Sequence, residues 1–196
     1  MTERALLLTG IGGQGIQLAA RTLAVAAVSD GLQAMVFGEY GGMMRGGNSD
    51  STVVLGTERL LTPPTVSRAW GAVALHQEYW PEVVPRLQAG GVVVIDRSVF
   101  RAEVGRSDLT VVEIEATATA AEMGNPRGAS MVALGALSAA TGIVSLAALE
   151  TATAEVLPPY RAQHAAANAE ALRAGHALIA ERVSEAWPER VAGARR

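Results

Sequence analysis

Residues 5–15 read A-L-L-L-T-G-I-G-G-Q-G. Ala5 to Leu8 form a short unbroken apolar run, the pattern of a strand buried on both faces. Gly10, Gly12 and Gly15 then give G-x-G-x-x-G, and Ile16 to Val28 is an apolar, Ala-rich run of helical length. Strand, glycine turn and helix make the opening of a βαβ unit. Glycine suits this turn because the backbone bends sharply and the helix packs close to the strand, with no Cβ between them. A nucleotide-binding loop and a tight turn that binds nothing are both compatible with these residues alone.

Working outward, the first helix spans about 15–29 and stops at Gly31. A second strand follows at 33–37, then Glu39, near the position where an acidic residue would hold the ribose of NAD. Residues 38–48, G-E-Y-G-G-M-M-R-G-G-N, form a long glycine-rich loop around Arg45. Ordering so much glycine costs much entropy, so a ligand or partner is expected to order it. Residues 50–55 alternate and turn at Gly56, the pattern of an antiparallel edge strand. The L-T-P-P of 61–64 breaks the pattern. Residues 70–75 are the next buried strand and run into His76-Gln77-Glu78. A helix over 78–88 is expected to turn Tyr79, Trp80, Val83, Val84 and Leu87 to the core. Pro81 suits its first turn, and Pro85 bends or shortens it. Strands at 92–95 and 109–114 complete the sheet.

From about residue 116 the chain reads as helical. A short helix over 117–123 precedes Asn125-Pro126, which has the form of an N-cap and first helical residue. That helix runs to about Ala140, stops at Gly142 and presents a surface of Gly and Ala. Ser145 can cap the next helix, Pro158-Pro159 ends it, and a long Ala-rich helix covers 161–183. The expected fold is α/β: a Rossmann-like, mostly parallel sheet flanked by helices, with a C-terminal helical extension. The expected organisation is one domain over 1–183 and a loosely ordered tail over 184–196.

Composition closes many routes. The chain has 196 residues, 49% hydrophobic and 18% charged, so it can build a full core and is expected to have surface covered by other subunits. A net charge of −3 disfavours a nucleic-acid partner. There is no membrane-length apolar run and no signal-peptide pattern, so a cytoplasmic location is expected. There is no Cys, hence no thiolate-held iron–sulfur cluster, disulfide or thiol nucleophile. All 16 basic residues are Arg, so there is no P-loop lysine and no Schiff base.

Ligands of open α/β sheets sit beyond the carboxyl ends of strands. The loops at 10–15 and 39–48, His76 and Asp96 all fall there. His76 could serve as a general acid or base, but a packing or capping role fits a lone His better. Asp96 reads as a holder of turn amides. His164 and His176 lack i, i+4 partners for a metal. No catalytic triad or metal cluster assembles, so no residue is assigned a catalytic role.

Four segments together carry a family resemblance: G-I-G-G-Q-G-I, E-Y-G-G-M-M-R-G-G, H-Q-E, and G-N-P-R-G-A-S-M-V-A-L-G-A-L-S-A-A-T-G. In order and spacing, over about residues 6–175, they resemble the gamma subunit of 2-oxoacid:acceptor (ferredoxin) oxidoreductases, including those acting on pyruvate, 2-oxoglutarate and indolepyruvate. The resemblance implies a complex that decarboxylates a 2-oxoacid on thiamine diphosphate with its Mg, passes electrons through [4Fe-4S] clusters to ferredoxin, and delivers the acyl group to coenzyme A (CoA). It implies alpha and beta subunits as partners. No cofactor is expected on this chain alone. A gamma component would pack beside the active site and line part of the CoA channel. The ligand-facing candidates are Gly10, Gly12, Gly13, Gln14, Gly15, Arg21 and Arg45, the last matching the family's M-R-G-G arginine. The chain departs from the family at Gly42-Met43, where relatives often have Pro-Glu, and in lacking lysine. Two other readings are a stand-alone Rossmann-like nucleotide-binding protein and a homo-oligomer joined through the small-residue helix at 126–140.

Overall fold

The computed structural model describes residues 2–40, 47–61, 63 and 65–188, with the side chains of 39 and 40 excepted. Strand β1 (Glu3–Ile11) leads through the glycine turn to helix α1 (Ile16–Ser29) and strand β2 (Gln33–Tyr40). Helix α1 ends as its sequence predicts. Gly31 takes a φ of 77°, its amide donates to Val28 O, and the Leu32 amide donates to Ala27 O. This pair of bonds closes the last carbonyls of a helix and needs a left-handed residue.

Strands β3 (Asn48–Gly56), β4 (Ala69–Ala74), β5 (Leu87–Asp96) and β6 (Thr110–Ile114) complete a six-stranded sheet of order β2-β3-β1-β4-β5-β6. Strands β1, β4, β5 and β6 are parallel neighbours, and β3 runs antiparallel to both β1 and β2. The antiparallel direction of β3 agrees with the sequence reading, but its place does not. It is inserted between β2 and β1 rather than laid at an edge. Its polar opening, N-S-D-S-T, imitates an edge strand, yet Ser51 to Gly56 are all buried.

Alternation sorts the side chains to two faces. Leu6, Leu8, Val53, Leu55, Val73, Val92 and Val94 pack with the large helical layer. Leu7, Val54, Ala72, Val93 and Ile95 pack with a thinner layer built from α2 (Trp80–Val83) and the 97–108 loop. The helix expected over 78–88 is therefore only one turn, continued as a 3₁₀ turn over Val84–Arg86. Pro85 removes an amide from the helical ladder, and Leu87 already belongs to β5. Trp80, Val83 and Leu87 are buried as read, whereas Tyr79 and Val84 are half-buried.

The helical part consists of α3 (Ala116–Glu122), α4 (Ala129–Thr141), α5 (Leu146–Glu155) and α6 (Ala165–Ala177). Ser145 caps α5 by accepting from the Ala148 amide. Asn125-Pro126 does not open α4. It forms a turn in which the Gly128 amide donates to Asn125 O, and the helix begins at Ala129. The long final helix expected over 161–183 is shorter, preceded by a 3₁₀ turn over Pro159–His164.

The first part of the segment read as a loosely ordered tail is packed against the domain. Ala186 and Trp187 are buried, Trp187 Nε1 donates to Ile143 O, and Arg4 Nε donates to Ala186 O. An indole with its N–H satisfied is a large apolar anchor, so Ala186 and Trp187 join the core.

The small-residue face of α4 is not an exterior surface. All its residues except Ala139 are buried, and α6 lies against it. A Cβ on Gly135 would stand 2.0 Å from Leu172 O, and one on Gly175 would stand 1.8 Å from Val132 O. The sequence reading that offered this helix as a homo-oligomer interface is thereby overturned, because the chain's own α6 occupies the stripe. Gly→Ala in an open helix would stabilise by up to about 1 kcal/mol. Here Gly175→Ala is expected to destabilise by about 1–3 kcal/mol or more, since a backbone carbonyl must move. Urea denaturation would check the sign.

Candidate functional site

The carboxyl end of β1 is where the chain concentrates its special backbone. Gly13 and Gly15 have φ of 104° and 81°, and Gly15 is the N-cap of α1. A Cβ on Gly10 would meet Gln14 Oε1 at 2.6 Å, and one on Gly15 would meet Ser130 Oγ at 2.7 Å. The Gly12 amide donates to Gly47 O, fastening the turn to the start of β3. Gln14 fastens it to β4. Its Oε1 accepts from the Ile11 amide at 2.8 Å, and its Nε2 donates to Leu75 O at 3.0 Å. Gln14 thus spans the ends of two parallel strands, and both ends of its amide hold the loop's own backbone.

With no side chain at its N-cap, α1 leaves its first amides without an intrahelical partner, and the helix dipole favours an anion there. The turn opens on a cleft of about 780 Å³. Gly13, Gly15 and the first turn of α1 line one side, with Gly38 and Ser49 from β2 and β3. Arg21 of α1, Arg127 ahead of α4, and Tyr160 and Arg161 of the α5–α6 connection line the rest. Sequence reasoning found the glycine turn and Arg21 but not Arg127, Tyr160 or Arg161. Those lie more than 100 positions away, and only the packing of α4 and α5 on α1 brings them to the loop.

The structure assigns the other candidates structural work. Asp96 is fully buried. Its Oδ1 accepts from the Ser98 amide, and its Oδ2 accepts from the amide and hydroxyl of Thr117. It therefore holds turn amides, as its position suggested. His76 Nδ1 accepts from the Glu78 amide at 3.2 Å, and Gln77 Oε1 accepts from the Arg101 and Ala102 amides. Partial burial, then the neighbouring Glu78 charge, push the Tyr79 phenol above its ordinary pKa. His164 is exposed at the end of the 3₁₀ turn ahead of α6, and His176 is half-buried in the last turn of α6. Among the described residues, no group of three His, Asp or Glu could hold a metal ion. Arg45 and its glycine-rich loop lie outside the described residues.

The insertion of β3 also bears on NAD. In a Rossmann sheet the strand carrying the ribose-binding acid is the direct neighbour of β1. Here β2 is two strands from β1, roughly 9–10 Å at ordinary strand spacing. Glu39 does not stand where that reading needs it.

Several known proteins are similar to this chain in sequence and shape. The family model described as "Pyruvate ferredoxin/flavodoxin oxidoreductase" matches residues 5–178. A 2-oxoglutarate synthase subunit KorC from Methanothermobacter marburgensis is 34% identical over 186 residues, covering 91% of this chain and 98% of the relative. The keto/oxoacid ferredoxin oxidoreductase gamma subunit of Geobacter sulfurreducens superposes with a TM-score of 0.75 at 28% identity, over 89% of this chain and 95% of that one. A 2-oxoglutarate:ferredoxin oxidoreductase of Magnetococcus marinus, solved with 2-oxoglutarate, coenzyme A and succinyl-CoA bound, shares the fold. Its TM-score is 0.79 at 24% identity, and the match covers 93% of this chain but 33% of that one.

Gln14→Ala removes one acceptor and one donor from a part-buried turn. It is expected to lower stability by about 1–3 kcal/mol. Amide exchange at Ile11 should rise with it, while Gln14→Glu should retain the Ile11 bond and lose the one to Leu75.

Proposed function

The chain belongs to the pyruvate ferredoxin/flavodoxin oxidoreductase family, and from that premise we propose that it lines part of the CoA channel of a complex in which it is the gamma-type subunit. The complex is a 2-oxoacid:ferredoxin oxidoreductase, and this chain's part in it is assembly surface and channel wall. A stand-alone NAD-binding protein is not the reading the fold and its relatives favour.

The observation that carries the channel role is the glycine turn opening, with Arg21, onto the large cleft at the carboxyl end of β1. Gly10, Gly12, Gly13 and Gly15 keep the backbone clear of side chains, and Gln14 holds the turn rigid. Arg21 supplies a permanent positive charge on the same cleft wall as the N-terminus of α1, a combination that suits phosphate. Arg45 carries the same expectation through the family's M-R-G-G pattern. The chemistry belongs to other chains. With no Cys, this subunit offers no thiolate to a cluster. We assign thiamine diphosphate, its Mg and the [4Fe-4S] clusters to the alpha and beta partners and place the complex in the cytoplasm. Among the described residues no helix is long and apolar enough to cross a membrane.

Two measurements test this. The chain should co-purify with larger thiamine- and cluster-bearing partners; if it elutes alone from its own cells, the subunit reading falls. In the assembled complex, assayed first with 2-oxoglutarate because a relative is named for it, Arg21→Ala should raise KM for CoA roughly tenfold. The KM for the 2-oxoacid should stay unchanged. Equal effects on both would argue against a channel role.

A further inference from the structure

A polar cluster lies on the other face of the sheet from the cleft. The register pairs Thr9 of β1 with Asp50 of β3, two residues beyond the Leu7–Thr52 pair, on the face that α2 covers. Thr9 is 0% exposed, yet its Oγ1 has no hydrogen-bond partner. Asp50 Oδ2 accepts from Asn48 Nδ2 at 2.9 Å, but Asp50 Oδ1 and Asn48 Oδ1 are both buried with no donor. Three oxygens, one of them a carboxylate's, thus carry the full cost of leaving water. Thr9 and Asp50 line a cavity of about 10 Å³, the room of one water-sized particle, which Leu7, Thr52 and Val83 help to close. Arg86 is the one basic residue on its wall, and its Nη2 donates to Val66 O at 2.8 Å. On the other side of β3, the register sets Glu39 of β2 directly opposite Asp50. Like charges so placed on adjacent strands destabilise a sheet.

We propose that this cavity binds a dehydrated alkali cation, held by Asp50 Oδ1 and Thr9 Oγ1 beside Asn48 Oδ1. Unpartnered buried oxygens of this kind mark the place of a water or an ion. A water would bond to them but leave the buried carboxylate charge uncompensated, which is the larger cost. Carboxylate, amide and hydroxyl oxygens suit a hard cation. The cavity has no room for a hydration shell, so magnesium, which dehydrates reluctantly, does not fit it. The ion's work is structural. It ties the start of β3 to the carboxyl end of β1, where Gly47 O receives the Gly12 amide. The inference goes beyond the channel reading and stands independently of it.

Thermal melting of the purified full-length chain in potassium, sodium, choline and magnesium chloride at equal ionic strength tests it. Potassium or sodium should raise the melting temperature by roughly 3–6 °C over choline, and the rise should saturate. Magnesium should not reproduce it. Asp50→Asn should erase the difference between potassium, sodium and choline. In choline it should melt no lower than the parent, because the uncompensated charge is gone. Thr9→Val keeps the side chain's shape and should weaken the apparent potassium affinity severalfold. Thallium(I) NMR should show a bound resonance that potassium displaces and that Asp50→Asn lacks. Equal melting in all four salts would mean that the cavity holds water alone and would overturn the proposal. So would a salt difference that survives Asp50→Asn, or magnesium matching potassium. Should Asp50→Asn fail to fold, an unchanged potassium response in Thr9→Val would overturn it as well.

Discussion

The turn after β1 is built largely of glycine because its own residues and two distant parts of the chain press on it. Gln14 and Ile16 fill the space above Gly10, Gly47 meets the Gly12 amide, and Ser130 sits against Gly15. A Cβ at Gly10 or Gly15 would collide with these neighbours, and Gly13 and Gly15 have a left-handed backbone. That constraint fixes where α1 starts, how near α4 approaches, and how β1 and β4 end together. Loosening it would shift the strand ends, the helix N-terminus and the cleft at once.

The same device recurs where α4 crosses α6. Gly135 and Gly175 let two helical backbones approach within contact of each other's carbonyls. Helix α4 is thereby enclosed between the sheet and α6, and its N-terminal end is delivered to the glycine turn. Ser130 reaches Gly15, and Arg127 enters the cleft, because of that packing. Close packing at one end of the domain therefore positions charge at the other. The C-terminal segment reinforces this. Backbone amides of Val183, Ser184 and Ala186 donate to Ala140 and Thr141, tying the last described residues to the C-terminus of α4.

Within the sheet, the antiparallel β3 separates this domain from a dinucleotide-binding arrangement that starts with the same motif. A ligand at the β1 turn finds Ser49 and Gly38 from β3 and β2 beside it, with the acid of a ribose site displaced. Arg21, Arg127 and Arg161, which form no ion pair among the described residues, all line the cleft beside that turn.

Much of this was legible in the residues. The buried strands, the glycine turn, the Gly31 and Gly142 helix stops, the Ser145 cap and the holding role of Asp96 follow from short-range rules, because turn chemistry and apolar periodicity act over a few residues. The composition alone excluded thiolate and lysine chemistry. What the sequence could not decide was each outcome that depends on which distant surfaces meet. Those outcomes are the interior place of β3 despite its polar opening, the covering of the α4 stripe by α6, and the burial of Trp187 in an Arg-rich tail. The convergence of Arg127, Tyr160 and Arg161 on Arg21 is another. Such pairings are selected by the total area buried and the backbone clearance at crossings, and neither quantity is written in any one stretch of the chain.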